Sequence, residues 1–211
     1  MKYYRLPMGP LNANCYVVID EVTKKAAVID PSSYNSDLKQ VLHSDEVSSV
    51  EYILLTHGHF DHILGVPQVK SDFKNAKICI HEEDEKNLSN KDLNLVDMVG
   101  LPFTPIAAVE LLEDGSIIDL GTLKIKVMHT PGHTQGGVCY IIEDEKIIFS
   151  GDTLFRGSFG RTDFPGGDTF KLIQSLKRLK NLDGDYKILP GHENDTTLNY
   201  EREHNMYMRK L

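Results

Sequence analysis

Short apolar runs, each closed by a turn rich in glycine or proline, set the rhythm of this chain. Runs near 13–19, 26–30, 52–56 and 77–80 read as strands, and a second set follows near 117–129, 138–143, 146–150 and 186–190. Stretches such as Ile147-Ile148-Phe149 are apolar at consecutive positions rather than alternate ones, which predicts strands covered on both faces. Helices are predicted near 35–43, 66–73, 83–98, 168–180 and 197–209. The helix at 168–180 is the most clearly marked: Asp168 or Thr169 caps it, and Phe170, Ile173, Leu176 and Leu179 recur at helical spacing. In the helix near 35–43, Leu38, Val41 and Leu42 share a face. Two similar halves meet near residue 112, each with strands first and helices after. Without a linker-like or low-complexity tract between them, the expectation is one domain over 1–211.

The turn after the run Tyr52-Ile53-Leu54-Leu55 carries the chemistry. It reads Thr56-His57-Gly58-His59-Phe60-Asp61-His62. In an extended segment residues two apart share a face, so His57 and His59 can grip one ion. Adjacent Asp61 and His62 point in different directions and can serve a second. Imidazole nitrogen and carboxylate oxygen suit zinc, iron or manganese. A histidine-rich surface turn is the bland alternative, but three further ligand-type residues follow strand-like runs in the same way. His133 sits in Thr130-Pro131-Gly132-His133, Asp152 in Gly151-Asp152-Thr153 and His192 in Pro190-Gly191-His192. Alone, His133 or His192 is more often a satisfied loop histidine and Asp152 a helix cap or Asx-turn; together with the first turn they form a pattern.

That pattern, His57-x-His59-x-Asp61-His62 with His133, Asp152 and His192, resembles the ligand set of the metallo-β-lactamase superfamily. The resemblance implies a first site of His57, His59 and His133, a second of Asp61, His62 and His192, and Asp152 bridging the two. It also implies that Asp30, ending Ala26-Ala27-Val28-Ile29-Asp30, supports the ligands from behind; a turn cap before Pro31 is the local alternative. The implied fold is α/β (α+β): an αββα sandwich with two packed sheets, helices outside, and the metals at one edge between the halves. The implied cofactors are two divalent ions, with zinc placed ahead of iron or manganese.

Buried in one cleft, five histidines and two aspartates are costly without metal. Two cations remove that cost and lower the pKa of bound water from about 15.7 toward about 7. The reaction class is therefore hydrolysis of an acyl or phosphoryl bond by metal-bound hydroxide, with Asp61 placed to orient it. The loop from Gly151 to Asp168 and the tail Pro190–Glu201 are similar to the short branch of glyoxalase II-like (hydroxyacylglutathione) hydrolases. The resemblance runs from Asn14-Cys15-Tyr16 to about Asn205 and implies cleavage of a small thioester of the S-D-lactoylglutathione type. Arg156 and Arg161 then become candidates to hold an anionic substrate, with surface ion pairing as the alternative. Phe155, Phe159 and Phe164 read as core or as an apolar wall. Two departures weaken the case for glutathione: no C-terminal helical domain follows, and Glu193 stands where a glycine is usual.

Composition narrows the classes. Net charge is −8, against bulk nucleic-acid binding. No run approaches the roughly 20 apolar residues of a membrane span. The N-terminus lacks the apolar block of an export signal, and Cys15, Cys79 and Cys139 leave an odd count, so reduced thiols in a cytoplasmic protein are expected. The acidic run Glu82–Glu85 reads as the start of a solvated helix. The partner expected is a small-molecule thioester; oligomeric state is not legible. The rival enzyme reading is a persulfide dioxygenase using one iron, because that family shows a loop like Arg156–Phe164. A non-catalytic metal-binding module is the alternative of another class, and it would show a degenerate ligand set.

Overall fold

The computed structural model describes residues 1–107 and 110–211. Its first sheet holds β1 (Lys2–Met8), β2 (Ala13–Ile19), β3 (Lys25–Ile29), β4 (Ser49–Leu54), β5 (Lys77–His81) and β6 (Glu110–Leu112), neighbours in that order. β1–β3 are antiparallel, and β3–β6 are parallel. The second half supplies β7 (Ile117–Leu120), β8 (Leu123–His129), β9 (Val138–Ile142) and β10 (Ile147–Gly151). A small β11 (Leu154–Phe155) and β12 (Ser158–Phe159) ribbon follows, then β13 (Lys187–Pro190) and β14 (Thr196–Thr197). The second sheet runs β14-β13-β10-β9-β8-β7.

Alternation along each strand produces the layers. On β2, Tyr16 and Val18 point to the second sheet, where Ile125, Val127, Tyr140 and Phe149 meet them. Its other face, Cys15, Val17 and Ile19, packs on Leu38 and Leu42 of helix α1 (Ser36–Leu42). On β9, Cys139 and Ile141 face outward against Leu176 and Leu179, the buried stripe of the long helix described below. The central strands are therefore dry on both faces, which is why β2 is buried at all seven positions and reads as a continuous apolar run. The αββα sandwich is the observed architecture. All three cysteines are buried and free. Among the described residues no helix is long and apolar enough to cross a membrane.

Several expectations change. The 117–129 run is a hairpin, because Gly121, at φ +62°, turns the chain between Leu120 and Leu123. The 83–98 helix is a 3₁₀ turn over Glu82–Leu88 and, later, one short turn. Between them Asn90 accepts from the Asp92 and Leu93 amides, and Leu95 is left-handed at φ +67°, so side-chain bonding competes with helix. The C-terminal helix stops at His204, where Asn205 turns extended. β1 has too mixed a pattern to read as a strand; as an edge strand it tolerates Pro7.

Among the described residues five helices follow α1: α2 (Phe60–Ile63), α3 (Val66–Asp72), α4 (Val96–Val99), α5 (Thr169–Lys180) and α6 (Leu198–His204). α5 is capped by Asp168 as expected, but it buries Leu172, Leu176 and Leu179, while Phe170 is 72% exposed.

Candidate metal centre

β4 delivers the histidine motif to the sheet edge. His59 is still extended and caps α2, so Asp61 and His62 leave from a helical turn rather than a loop. That turn separates the two adjacent side chains. The other ligand-type residues arrive from the second sheet: His133 after β8, Asp152 after β10, His192 after β13.

The structure brings all seven together. His57, His59 and His133 converge, as do Asp61, His62 and His192, each trio with its ligand-type atoms within 4.8 Å of one another. His59 Nδ1 lies 2.9 Å from His133 Nε2. His192 Nε2 lies 3.1 Å from Asp61 Oδ2. Asp152 sits between the trios: its carboxylate oxygens are 3.5 Å from His133 Nε2, 3.5 Å from His62 Nε2 and 3.7 Å from His192 Nε2. A Cβ at Gly191 would run into that carboxylate, which is the local need for Gly191 before His192.

Three of the other ring nitrogens are tied from behind. His57 Nδ1 pairs with Thr56 Oγ1 at 3.1 Å, His62 Nδ1 with Asp30 Oδ2 at 3.0 Å, and His133 Nδ1 with the Arg161 carbonyl at 2.7 Å. Asp30, held at φ +50°, also accepts from the Thr56 amide and hydroxyl, so one carboxylate fixes the motif's first residue and His62 together. Imidazoles that ligate metal are characteristically held this way.

Five buried side-chain polar atoms among the described residues lack a hydrogen-bond partner, and four belong to this cluster: His57 Nε2, His59 Nε2, His62 Nε2 and Asp152 Oδ1. Orphaned buried donors and acceptors are costly. Their concentration here, on nitrogen and carboxylate atoms, fits a site built for divalent metal. Electrostatics agree. Burial, then the neighbouring imidazoles, hold His57 and His59 well below the ordinary histidine pKa, in the neutral form that ligates. Burial works to raise Asp61, but the nearby His62 and His192 outweigh it and hold the carboxyl below its usual range. His62 runs the other way: burial would lower it, yet Asp61, Asp152 and Asp30 carry it up to about 10, so without a cation among these carboxylates it holds a proton that a bound metal would displace.

Sequence reading missed Asp84. It lies in the acidic run expected to be solvated, yet it is 1% exposed. Its carboxylate accepts from the Gly58 amide at 3.0 Å, the Thr134 hydroxyl at 2.7 Å and the Gly136 amide at 2.6 Å. It thus ties the His57–His59 segment to the His133 turn. Burial pushes its carboxyl up, and the three donors pull the other way. No local signal separates it from Glu82, Glu83 and Glu85. Asn14 and Tyr16 do the same service for the His192 turn, both donating to the Pro190 carbonyl.

The centre opens into a cleft of about 490 Å³. Arg161 lines it, paired through two nitrogens with Asp163 and lying over the Phe164 ring. Arg156 is not brought there; it lies over Tyr200 in a separate depression. Phe155, Phe159 and Phe164 form part of the cleft wall.

The chain belongs to the metallo-beta-lactamase superfamily, which it matches over residues 8–192. It is similar to the hydroxyacylglutathione hydrolase GloC of Haemophilus influenzae, 34% identical over 96% of each chain. Among solved structures it is similar to the BLEG-1 B3 metallo-beta-lactamase, at TM-score 0.91 and 34% identity, covering 98% of this chain and 99% of that one. It is also similar to TTHA1623, solved in a di-iron-bound form, at TM-score 0.86 and 34% identity, covering 97% and 99%.

Proposed function

We propose that this protein is a metal-dependent hydrolase of small 2-hydroxyacyl thioesters, of the S-D-lactoylglutathione type. The observation that carries the reading is the convergence of two ligand trios about Asp152 at the floor of an open cleft, with ring nitrogens left free. His57, His59 and His133 would hold one divalent ion, Asp61, His62 and His192 the other, and Asp152 would touch both. When bound, such ions supply a nucleophile from water at neutral pH and polarise a carbonyl oxygen.

The chain's own residues do the rest. Asp61, its Oδ2 3.1 Å from His192 Nε2, would accept the hydrogen bond of the attacking water and set its direction. Asp30 and Thr56 hold His62 and His57 in one orientation, so the reacting groups meet without rearrangement. The water oxygen bonds to the carbonyl carbon, the C–S bond breaks with its electron pair leaving on sulfur, a proton of that water passes to the sulfur, and the products are a hydroxy acid and a thiol. The similarity to GloC supports the thioester class.

The test is metal analysis of the purified protein together with free-thiol release from S-D-lactoylglutathione and from lactoyl thioesters of smaller thiols. Thiol release with two ions per chain is expected. No release from any of them by zinc- or iron-loaded protein, with oxygen uptake on glutathione persulfide and a single iron, would replace this reading with the dioxygenase.

A further inference from the structure

Three features of the cleft bear on which thioester it takes. Its rim is apolar where solvent normally selects polar residues: Leu11 is 53% exposed, Met98 70% and Val99 46%, and all three line the cleft mouth. Its wall continues this character through Phe155, Phe159 and Phe164 down to the metal ligands. Its charge is the third feature. Apart from the metal-centre side chains, the charged lining residues are Arg161 and Glu193. Arg161 pairs with Asp163 by two hydrogen bonds of 2.7 Å at the exposed edge of the cleft. Glu193 stands beside His192 at φ +64°, with its backbone carbonyl accepting from Asn14 Nδ2.

A thiol bearing carboxylates would meet an apolar rim, one neutralised cation and one free carboxylate. The rim and the free carboxylate disfavour it, and the exposed Arg161–Asp163 pair offers little in return. An uncharged aliphatic or aryl thiol arm would instead cover Leu11, Met98 and Val99, exposed apolar surface contiguous with a site of ligand-binding size. We infer that the cleft selects acyl thioesters whose thiol arm is apolar and uncharged, and that Glu193 and the Leu11–Met98–Val99 rim are the specificity determinants. This rests on the thioester reading above and adds the chemical class of its leaving group. The α4 turn carrying Met98 and Val99 is set by the left-handed residues Leu95 and Gly100 on either side, so the rim is a built feature of the chain path.

The experiment uses a series of lactoyl thioesters of butane-, pentane- and hexanethiol beside S-lactoylglutathione, with the metal-loaded protein. Each methylene that buries on the rim should raise kcat/KM about fourfold. The hexanethiol ester should exceed the glutathione ester by at least tenfold. Met98→Glu should cut the hexanethiol value about tenfold or more and leave the butanethiol value within about threefold. Glu193→Lys, which keeps a long side chain at the same backbone conformation, should raise the glutathione ester relative to the hexanethiol ester about tenfold. A flat alkyl series, or a preference for the glutathione ester in the unmodified protein, overturns the inference while leaving thioester hydrolysis standing. Should no thioester turn over, the thioester reading falls separately. Calorimetric binding of the matching non-hydrolysable thioethers then decides the cleft's selectivity: hexyl tighter than glutathionyl supports it, and the reverse rejects it.

Discussion

Replacing Asp84 with Ala tests whether a carboxylate outside the ligand set holds the first metal trio together. The substitution strands three donors, the Gly58 and Gly136 amides and the Thr134 hydroxyl, all in buried surroundings. Hydrogen bonds to a charged group are worth about 1.5–3 kcal/mol each, so the gross loss is roughly 5–9 kcal/mol. Removing a buried carboxylate also removes its desolvation cost, several kcal/mol. The difference is about 3 kcal/mol, which a domain of ordinary stability survives. Asp84→Asn should cost less, about 1–2 kcal/mol. An amide oxygen can take the place of Oδ2 and keep the Gly58 bond, with the Gly136 amide left facing an NH₂ group. Because Gly58 lies between His57 and His59, part of the loss falls on metal affinity. If all of it did, the first site would weaken about a hundredfold, at 1.36 kcal/mol per decade. The second trio has no bond to Asp84 and should keep its affinity. Urea unfolding of the metal-free protein and a two-site metal titration measure the two parts. An Asp84→Ala protein within about 0.5 kcal/mol of the parent, with both metal affinities unchanged, would refute this account.

Three further outcomes follow from the same geometry. His57→Ala or His133→Ala should each remove most bound metal and nearly all turnover, whereas exposed His204→Ala should do neither; metal content at the parental level in both ligand variants would reject the first trio. Asp152→Ala should weaken both sites, and Asp61→Ala should chiefly empty the second with a large loss of kcat; an Asp152→Ala protein that loses one ion and keeps full activity would exclude a bridging role. At the far end of the sandwich, Asp20 joins β2 to the β7–β8 turn by accepting from the Thr122 amide and hydroxyl and from the Thr23 hydroxyl. Although burial works to raise it, these bonds hold its carboxyl below the usual range. Its contribution is therefore present above the ordinary carboxylate pKa of about 4 and is lost as pH falls below it. Asp20→Asn should cost about 1–2 kcal/mol at pH 7 and markedly less at pH 3 by urea unfolding, with metal content unchanged at pH 7; an equal cost at both pH values would contradict this.

The sequence alone determined what is periodic or local. Strands buried on both faces announce themselves as unbroken apolar runs, and Ala13–Ile19 matched its predicted bounds for that reason. Asp168 before an apolar stripe marks a capped helix, and α5 begins there. The seven ligand-type residues were legible because four share one motif after β4 and His133, Asp152 and His192 each follow a strand of their own, a grammar that survives without neighbours. What depended on partners from elsewhere was not legible. The 83–98 segment had helical composition, but buried Asn94, bonded to the Asn87 carbonyl, and left-handed Leu95 broke it. Phe170 fits an apolar stripe, yet α5 lies so that Leu172 is buried instead, seated against Gly132 of the His133 turn. Arg156 and Arg161 stand five residues apart in one loop; Arg156 sits in the turn of the β11–β12 ribbon and lies over Tyr200, while Arg161, just past β12, lines the cleft. Asp84 is one carboxylate among four in a row, and only the approach of the Gly58 and Gly136 amides, from 26 and 52 residues away, distinguishes it. Local sequence specifies backbone preference and burial period; which distant donor meets a given acceptor is decided by how the two sheets stack.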